Sequence, residues 1–351
     1  MSNKRLSYLD MAKGIGIILV LYGHLIYTGE RVRVWISAFH MPLFFVISGI
    51  TLYMGTKDEK DIKGRIAKKA RTLLIPYMWF SIIYFVVDIG NVFLNKITIY
   101  DFKSNIIATL TFAGKSVMWF ITALFISQVV LILLQSKLPD AWVIVSVIVI
   151  AVISCICATY IREVYANNEG SLSVVALLSL PKSIVRSGTV IPYVAAGYYA
   201  RKYYDKYRFL ADRIYIRIIT CIVSFGLCVF ISLTNWAVDT NNMILNNPWL
   251  YYAGGLLGSI SIISFCSLLP SIGILERIGR YSLVTMAIHL DMYVLWAGLQ
   301  VGLLVYGICP VSKILTTVTV IVTLIIGCIT GYIVERFFPF ILGRKKRTSA
   351  T

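Results

Sequence analysis

"LDMAKGIGIILVLYGHLI", residues 9–26, decides the fold class. It is an apolar run near the N-terminus, long enough to enter a bilayer, yet it carries Asp10 and Lys13 at one end and His24 further in. Comparable apolar runs recur to the end of the 351-residue chain. A hydrocarbon core of ~30 Å takes roughly 20 helical residues to cross. The chain is 58% hydrophobic and only 14% charged, with a mean hydropathy of +0.81. A soluble domain of average composition has about 25% charged residues to cover its surface. The sequence therefore reads as an all-α polytopic membrane protein.

Ten spans are expected, at about 12–29, 34–54, 73–93, 117–135, 140–160, 186–200, 214–234, 249–269, 282–305 and 313–336. The sixth is short, and Pro181 and Pro192 either break it or join it to the preceding polar loop. Although Lys4 and Arg5 precede an apolar stretch, no small-residue cleavage site follows, so the first segment reads as a retained helix rather than a signal peptide. Most of the 33 basic residues fall in alternate loops. They gather before the first span, from Lys57 to Arg71, from Arg201 to Arg217, at Arg277 and Arg280, and in the tail from Arg336 to Arg347. The 235–249 loop has none. This positive-inside pattern places both termini in the cytoplasm.

With no internal repeat or long linker, residues 1–351 read as one integral membrane domain, its short basic tail (about 340–351) held to anionic lipid. The net charge of +17 is a topology signal, not a nucleic-acid footprint. The seven cysteines lie mostly in apolar runs without metal-ligand spacing, so neither a disulfide framework nor a metal site is expected. The close "GGLLG" at 254–258 permits tight helix contact within one chain or between two, leaving the oligomeric state open.

Ionisable residues at membrane depth are functional candidates. The protein has three histidines, His24, His40 and His289, and all fall within expected spans. By helical rise, His24 lies roughly 16 Å beyond Lys13 and His289 roughly 13 Å beyond Arg280, which puts the histidines near middle depth. "KDEKDIKGRIAKKARTLLIP", residues 57–76, crowds Arg65, Lys68, Lys69 and Arg71 at a membrane edge more densely than orientation requires. Phosphates are natural partners for such a cluster. Pro42, Ser48 and Gly49 in "FHMPLFFVISG", residues 39–49, suggest an irregular, tightly packed helix. Trp119 in "MWFITALF" suits an interfacial belt.

Taken in order, these stretches resemble the acyltransferase-3 family of integral membrane acyltransferases, in particular its fucose-4-O-acetylase-like branch. "YLDMAKGIGIILVLYGH" is similar to the family's opening block, in which a basic residue precedes a histidine with ten residues between, here Lys13 and His24. "FHMPLFFVISG" is similar to the next block. "RIAKKARTLLIPY" resembles the basic R-x-x-R block, with Lys68 and Arg71 in the basic positions. "WFITALF" and "IGRYSLVTMAIHL" (278–290) resemble the last two blocks. Lys13 and Lys68 stand where many members have Arg, and a Glu found after "WFL" in some members is Ala123 or Leu124 here.

The resemblance implies transfer of an acetyl group from cytosolic acetyl-CoA to a hydroxyl of a cell-surface or lipid-linked polysaccharide, at the cell membrane. It makes His24 the catalytic residue and places the donor at the cytosolic basic residues: Lys68 and Arg71, with Arg65 and Lys69. The chemistry agrees, because a neutral imidazole can take the proton of an attacking alcohol. A covalent acetyl-imidazole would use the same residue. Lys13 or Asp10 orients the site or the donor. His40 and His289 line the acceptor side or relay a proton, and Trp119 and Ser282 join them as candidate acceptor contacts. The alternative is a transporter of an amino acid or surface-polymer unit, for which internal repeats or paired broken helices are expected.

Overall fold

A computed structural model describes residues 6–56, 61–168 and 170–344. Lys4, Arg5, Lys57, Lys60, Lys345, Lys346 and Arg347 of the basic segments lie outside the described residues. The described chain is helical, and its one strand-like pairing is an isolated bridge between Asp239 and Ile244. In chain order the helices are α1 (Ser7–Gly23), α2 (Glu30–Thr56), α3 (Ile62–Phe93), α4 (Ile99–Leu110), α5 (Trp119–Lys137), α6 (Asp140–Asn167) and α7 (Leu172–Ala211). There follow α8 (Ile214–Asn235), α9 (Pro248–Leu268), α10 (Gly273–Arg280), α11 (Ser282–Ile288), α12 (Val294–Ile308) and α13 (Ser312–Phe337).

Eight of these are long and apolar enough to cross a membrane: α2, α3, α5, α6, α7, α8, α9 and α13. The protein is an all-α polytopic membrane protein. Its apolar side chains turn outward as readily as inward. α6 exposes Val145, Ile148, Val152 and Ile156, and α8 exposes Ile218, Ile222, Phe225 and Phe230. Such stripes favour lipid over water. Inside, hydroxyls are satisfied on their own helix, as the bilayer requires: Ser127 donates to the Ala123 carbonyl (2.6 Å) and Ser259 to that of Gly255 (2.6 Å).

Three expected spans differ. The first ends at Gly23, because the chain turns at His24 into a 3-10 turn, Ile26–Thr28. There the Thr28 hydroxyl caps the Tyr22 carbonyl at 2.7 Å. His24 therefore caps the helix end instead of lying inside a longer span. The sixth is part of the 40-residue α7, which runs through both Pro181 and Pro192. Between the two prolines, hydroxyls bond carbonyls of their own helix (Ser187 to Ser183 O, 2.7 Å; Thr189 to Arg186 O, 2.7 Å). The ninth, expected as one helix over 282–305, is broken between α11 and α12. Tyr293 adopts a left-handed conformation (φ 58°), and the Leu295 N–H reaches back to the His289 carbonyl at 2.8 Å.

Contacts divide the chain into two units. The first contains α1, α2, Tyr193–His289 and Tyr293–Ile329; the second contains α3 to α6, α7 up to Pro192, Leu290–Met292 and the chain from Thr330. In the first unit, backbones come closest at two places. A Cβ on Gly279 would fall 1.8 Å from the Asp10 carbonyl oxygen, and one on Gly14 would fall 2.3 Å from that of Leu275, so α10 lies directly on α1. α2 meets α7 in the same way, with Gly49 against Val194 and Gly197 against Val46. Small residues at such contacts let membrane helices gain van der Waals packing, which replaces a hydrophobic drive between them. The expected irregularity of α2 is absent, since it runs unbroken through Pro42; the tight packing at Gly49 is present.

Candidate active site

In the first unit α1 carries candidate groups at both ends. Asp10 and Lys13, one turn apart, form an ion pair (Nζ to Oδ1, 3.3 Å), and Asp10 is buried beneath α10. Its carbonyl is covered by Gly279, so the two sequence blocks "LDMAKG" and "IGRYS" meet physically. Ser282 starts α11 and is buried.

At the other end of α1, His24 comes beside His289, which caps α11; their ring centroids are 5.1 Å apart. The two rings differ in access. His24 is exposed, whereas His289 is fully covered (0% exposed). The Nδ1 of His289 lies 2.7 Å from the Met286 carbonyl. A carbonyl only accepts, so Nδ1 carries the proton and Nε2 holds a lone pair. That Nε2 is buried without a hydrogen-bond partner. An imidazole in this tautomer is a ready acceptor for a protonated neighbour. His40 on α2 is pinned similarly, its Nδ1 2.8 Å from the Ile36 carbonyl.

Asp239 was not a sequence candidate, because it sits in the loop between α8 and α9 with no motif around it. It lies within electrostatic reach of both His24 and His40. Its carboxylate is held in a local turn by the Asn242 backbone N–H (3.1 Å) and side-chain amide (2.9 Å). The only sequence signal was an acidic residue in a loop without basic ones.

In the second unit the start of α3 presents Arg65, Lys68, Lys69 and Arg71. The helix is capped by Asp61, whose carboxylate accepts from the N–H groups of Lys63 (3.0 Å) and Gly64 (2.9 Å). Arg65, Lys68 and Lys69 share a face by helical spacing. Arg65 donates one Nη to Gln135 (3.2 Å), while its Nε is buried without a partner. Arg71 is turned elsewhere, giving its Nε to the Gly343 carbonyl at 2.9 Å. Arg71 thus ties the end of the described chain to α3. Trp119 is buried at the start of α5, and the guanidinium of Arg186 lies over its ring at 5.1 Å. Arg186 is itself 1% exposed and donates to the Ala113 carbonyl. It was missed in the sequence because it falls at the start of an expected span. Trp119 therefore presents its face to a protein cation, and no longer reads as an interfacial belt residue.

The structure thus joins His24 with His289 and Asp10 with Lys13, and sets His40 on α2, which packs against α1. No group of three or more metal-ligating side chains occurs among the described residues.

The nodulation protein NolL of Mesorhizobium japonicum is 33% identical over 144 residues, covering 37% of this chain and 36% of that protein. The aligned stretch is thus little more than a third of either. No solved structure matches. The profile of the acyltransferase-3 family, described as an acyltransferase domain, matches residues 6–334, which takes in α1 and α10 with their glycine contact, both histidine-capped helices and the basic start of α3. The chain belongs to the acyltransferase-3 family.

Proposed function

We propose that the protein is a membrane O-acyltransferase that transfers an acetyl group from acetyl-CoA on the cytosolic side to a hydroxyl of a cell-surface or lipid-linked polysaccharide. The observation that carries this reading is the pairing of an open imidazole with a sealed one, His24 with His289, within a chain of this family. The acceptor hydroxyl gives its proton to neutral His24 as its oxygen attacks the thioester carbonyl. The C–S bond then breaks, and the CoA thiolate leaves and is protonated. The imidazolium formed on His24 is stabilised by the Asp239 carboxylate and can donate to the lone pair on His289 Nε2.

The donor's phosphates fit the cationic start of α3. Lys68, Lys69 and the uncommitted edge of Arg65 offer donors on one helix face, and Arg71 adds charge while its Nε stays on Gly343. The Lys13–Asp10 pair orients the entry to α1. His40 and Ser282 belong to the acceptor side in this reading, and Trp119, covered by Arg186, is a further candidate acceptor contact.

The test is acetyl transfer to glycan by the purified protein in lipid nanodiscs, supplied with labelled acetyl-CoA. His24→Ala should lower kcat by about 10²- to 10⁴-fold, the usual contribution of a general base, with unchanged folding. Lys68→Gln should instead raise the KM for acetyl-CoA. Wild-type turnover in His24→Ala would remove the proposal.

A further inference from the structure

A separate feature of the first unit is a pocket of about 480 Å³ between the start of α1, α2, the end of α7, α8 and α9. Its floor is apolar, made by Ile50, Ile216 and Ile263. Its rim is cationic and phenolic, with Arg201, Arg217, Tyr204 and Tyr8. None of these residues takes part in the chemistry proposed above.

The segment that supplies Arg201 and Arg217 to the rim is rich in cations. Residues 201–217 contain Arg201, Lys202, Lys206, Arg208, Arg213 and Arg217 against Asp205 and Asp212. Asp212 is shared by three donors: it accepts from Arg208 (2.7 Å), Arg217 (2.8 Å) and the Tyr204 hydroxyl (2.7 Å). Arg217 spends its other Nη on the Ser267 carbonyl at a long 3.4 Å. Arg201 reaches Asp205 at 3.4 Å, and its Nε is buried with no hydrogen-bond partner. An N–H of a guanidinium buried in this way calls for an acceptor.

The ligand must satisfy both ends of the pocket. A soluble anion would use the rim and leave the apolar floor to water. An acyl chain alone would leave the buried Nε of Arg201 without an acceptor. α8, which supplies Ile216 and Arg217, exposes Ile218, Ile219 and Ile222 on its outer side, a surface suited to lipid. Tyr204 and Tyr207 at the rim are residues of the kind that settle at the headgroup level. We infer that this pocket is a binding site for an anionic phospholipid, with the phosphate on Arg201 and Arg217 and the first methylenes over Ile216 and Ile263. This site is independent of the acetyl-transfer reading.

The experiment is native mass spectrometry of the full chain, delipidated in detergent and titrated with phosphatidylglycerol or with phosphatidylcholine. The wild type should retain one phosphatidylglycerol at least tenfold more tightly than phosphatidylcholine. The double change Arg201→Gln, Arg217→Gln should abolish that preference. Ile263→Trp, which fills the floor and spares the ion pairs, should weaken retention of phosphatidylglycerol by a similar factor even if the arginine variant fails to fold. Equal retention of the two lipids by the wild type, or undiminished phosphatidylglycerol binding in Ile263→Trp, would overturn the site. Displacement of the lipid by adenosine 3′,5′-bisphosphate would also overturn it, by making the pocket a nucleotide site.

Discussion

Each unit buries a polar cluster, and the two clusters are built differently. In the second unit Lys115 lies 2.6 Å from Asp88 and 3.1 Å from Asp291, with the Tyr84 ring 5.3 Å from its ammonium. Asp88 spends its other oxygen on the Asn105 amide at 2.9 Å, which leaves Asp291 Oδ2 as the unbonded oxygen of the two carboxylates. In the first unit the cluster is made of imidazoles: His289 is sealed and His40 half-buried, each tied to its own helix by one nitrogen (to Met286 and to Ile36), and His24 lies exposed beside His289. Ions at membrane depth are costly unless paired. Such a knot of ions reads as architecture, and it fastens Asp291 in the break after α11. Neutral imidazoles cost less to bury and keep a lone pair free for a proton. In the proposed function the ionic knot is scaffold and the imidazoles are the reaction centre.

The comparison breaks most visibly if Lys115→Met is tolerated. Removing one partner of a buried ionic cluster leaves a stranded charge, so this change should cost about 3–5 kcal/mol, seen as a large fall in the Tm of the detergent-solubilised protein. A variant as stable as wild type but inactive would move the ionic knot into the chemistry. His289→Ala should do the reverse. Stability should hold while kcat falls roughly 10- to 100-fold, the ~1.5–3 kcal/mol of a hydrogen bond to a charged group. Single-turnover acetyl transfer measures it, and an unchanged rate would reduce His289 to packing. Asp239→Asn should act through charge alone at a partly exposed position, lowering kcat about two- to fivefold. A change in KM without kcat would instead make Asp239 an acceptor contact.

The smallest effect concerns the seam of α1 with α10. The Glu276 carboxyl accepts from the hydroxyls of Ser271 and Ser7, and these bonds hold its pKa below the usual carboxylate value. A lowered folded pKa means the contribution is present above the ordinary range near 4.3. It is lost as the pH falls through the depressed value. Hydrogen exchange at the start of α1 should therefore quicken slightly on acidification in the wild type and stay level in Glu276→Gln. Equal acid response in both would show that the seam rests on the glycine contact alone.

The helical membrane fold was legible because apolar length carries it: a run of 20 or more such residues has few soluble uses. The start of α3 was legible too, as cations crowded where orientation needed few. The break at 289–293 was not, because it depends on Tyr293 in a left-handed turn and on Asp291 held by Lys115, which lies 176 positions earlier. Helical rise could give the depth of His24 and His289 but not that their rings meet. Asp239 escaped for the same reason, since its nearness to His24 is a product of tertiary folding. Arg186 was hidden inside an apolar helix, where its cover by Trp119 makes an otherwise forbidding charge acceptable.

The contact of Gly279 with the Asp10 carbonyl has a consequence for how variants of this protein should be read. Even alanine there must displace a main chain, so a genetic screen for lost activity will score position 279 beside His24. Gly279 has no side chain to hold a proton. Sorting such hits needs protein abundance in the membrane measured alongside activity: depleted alleles report on the seam, and abundant, silent ones on the reaction.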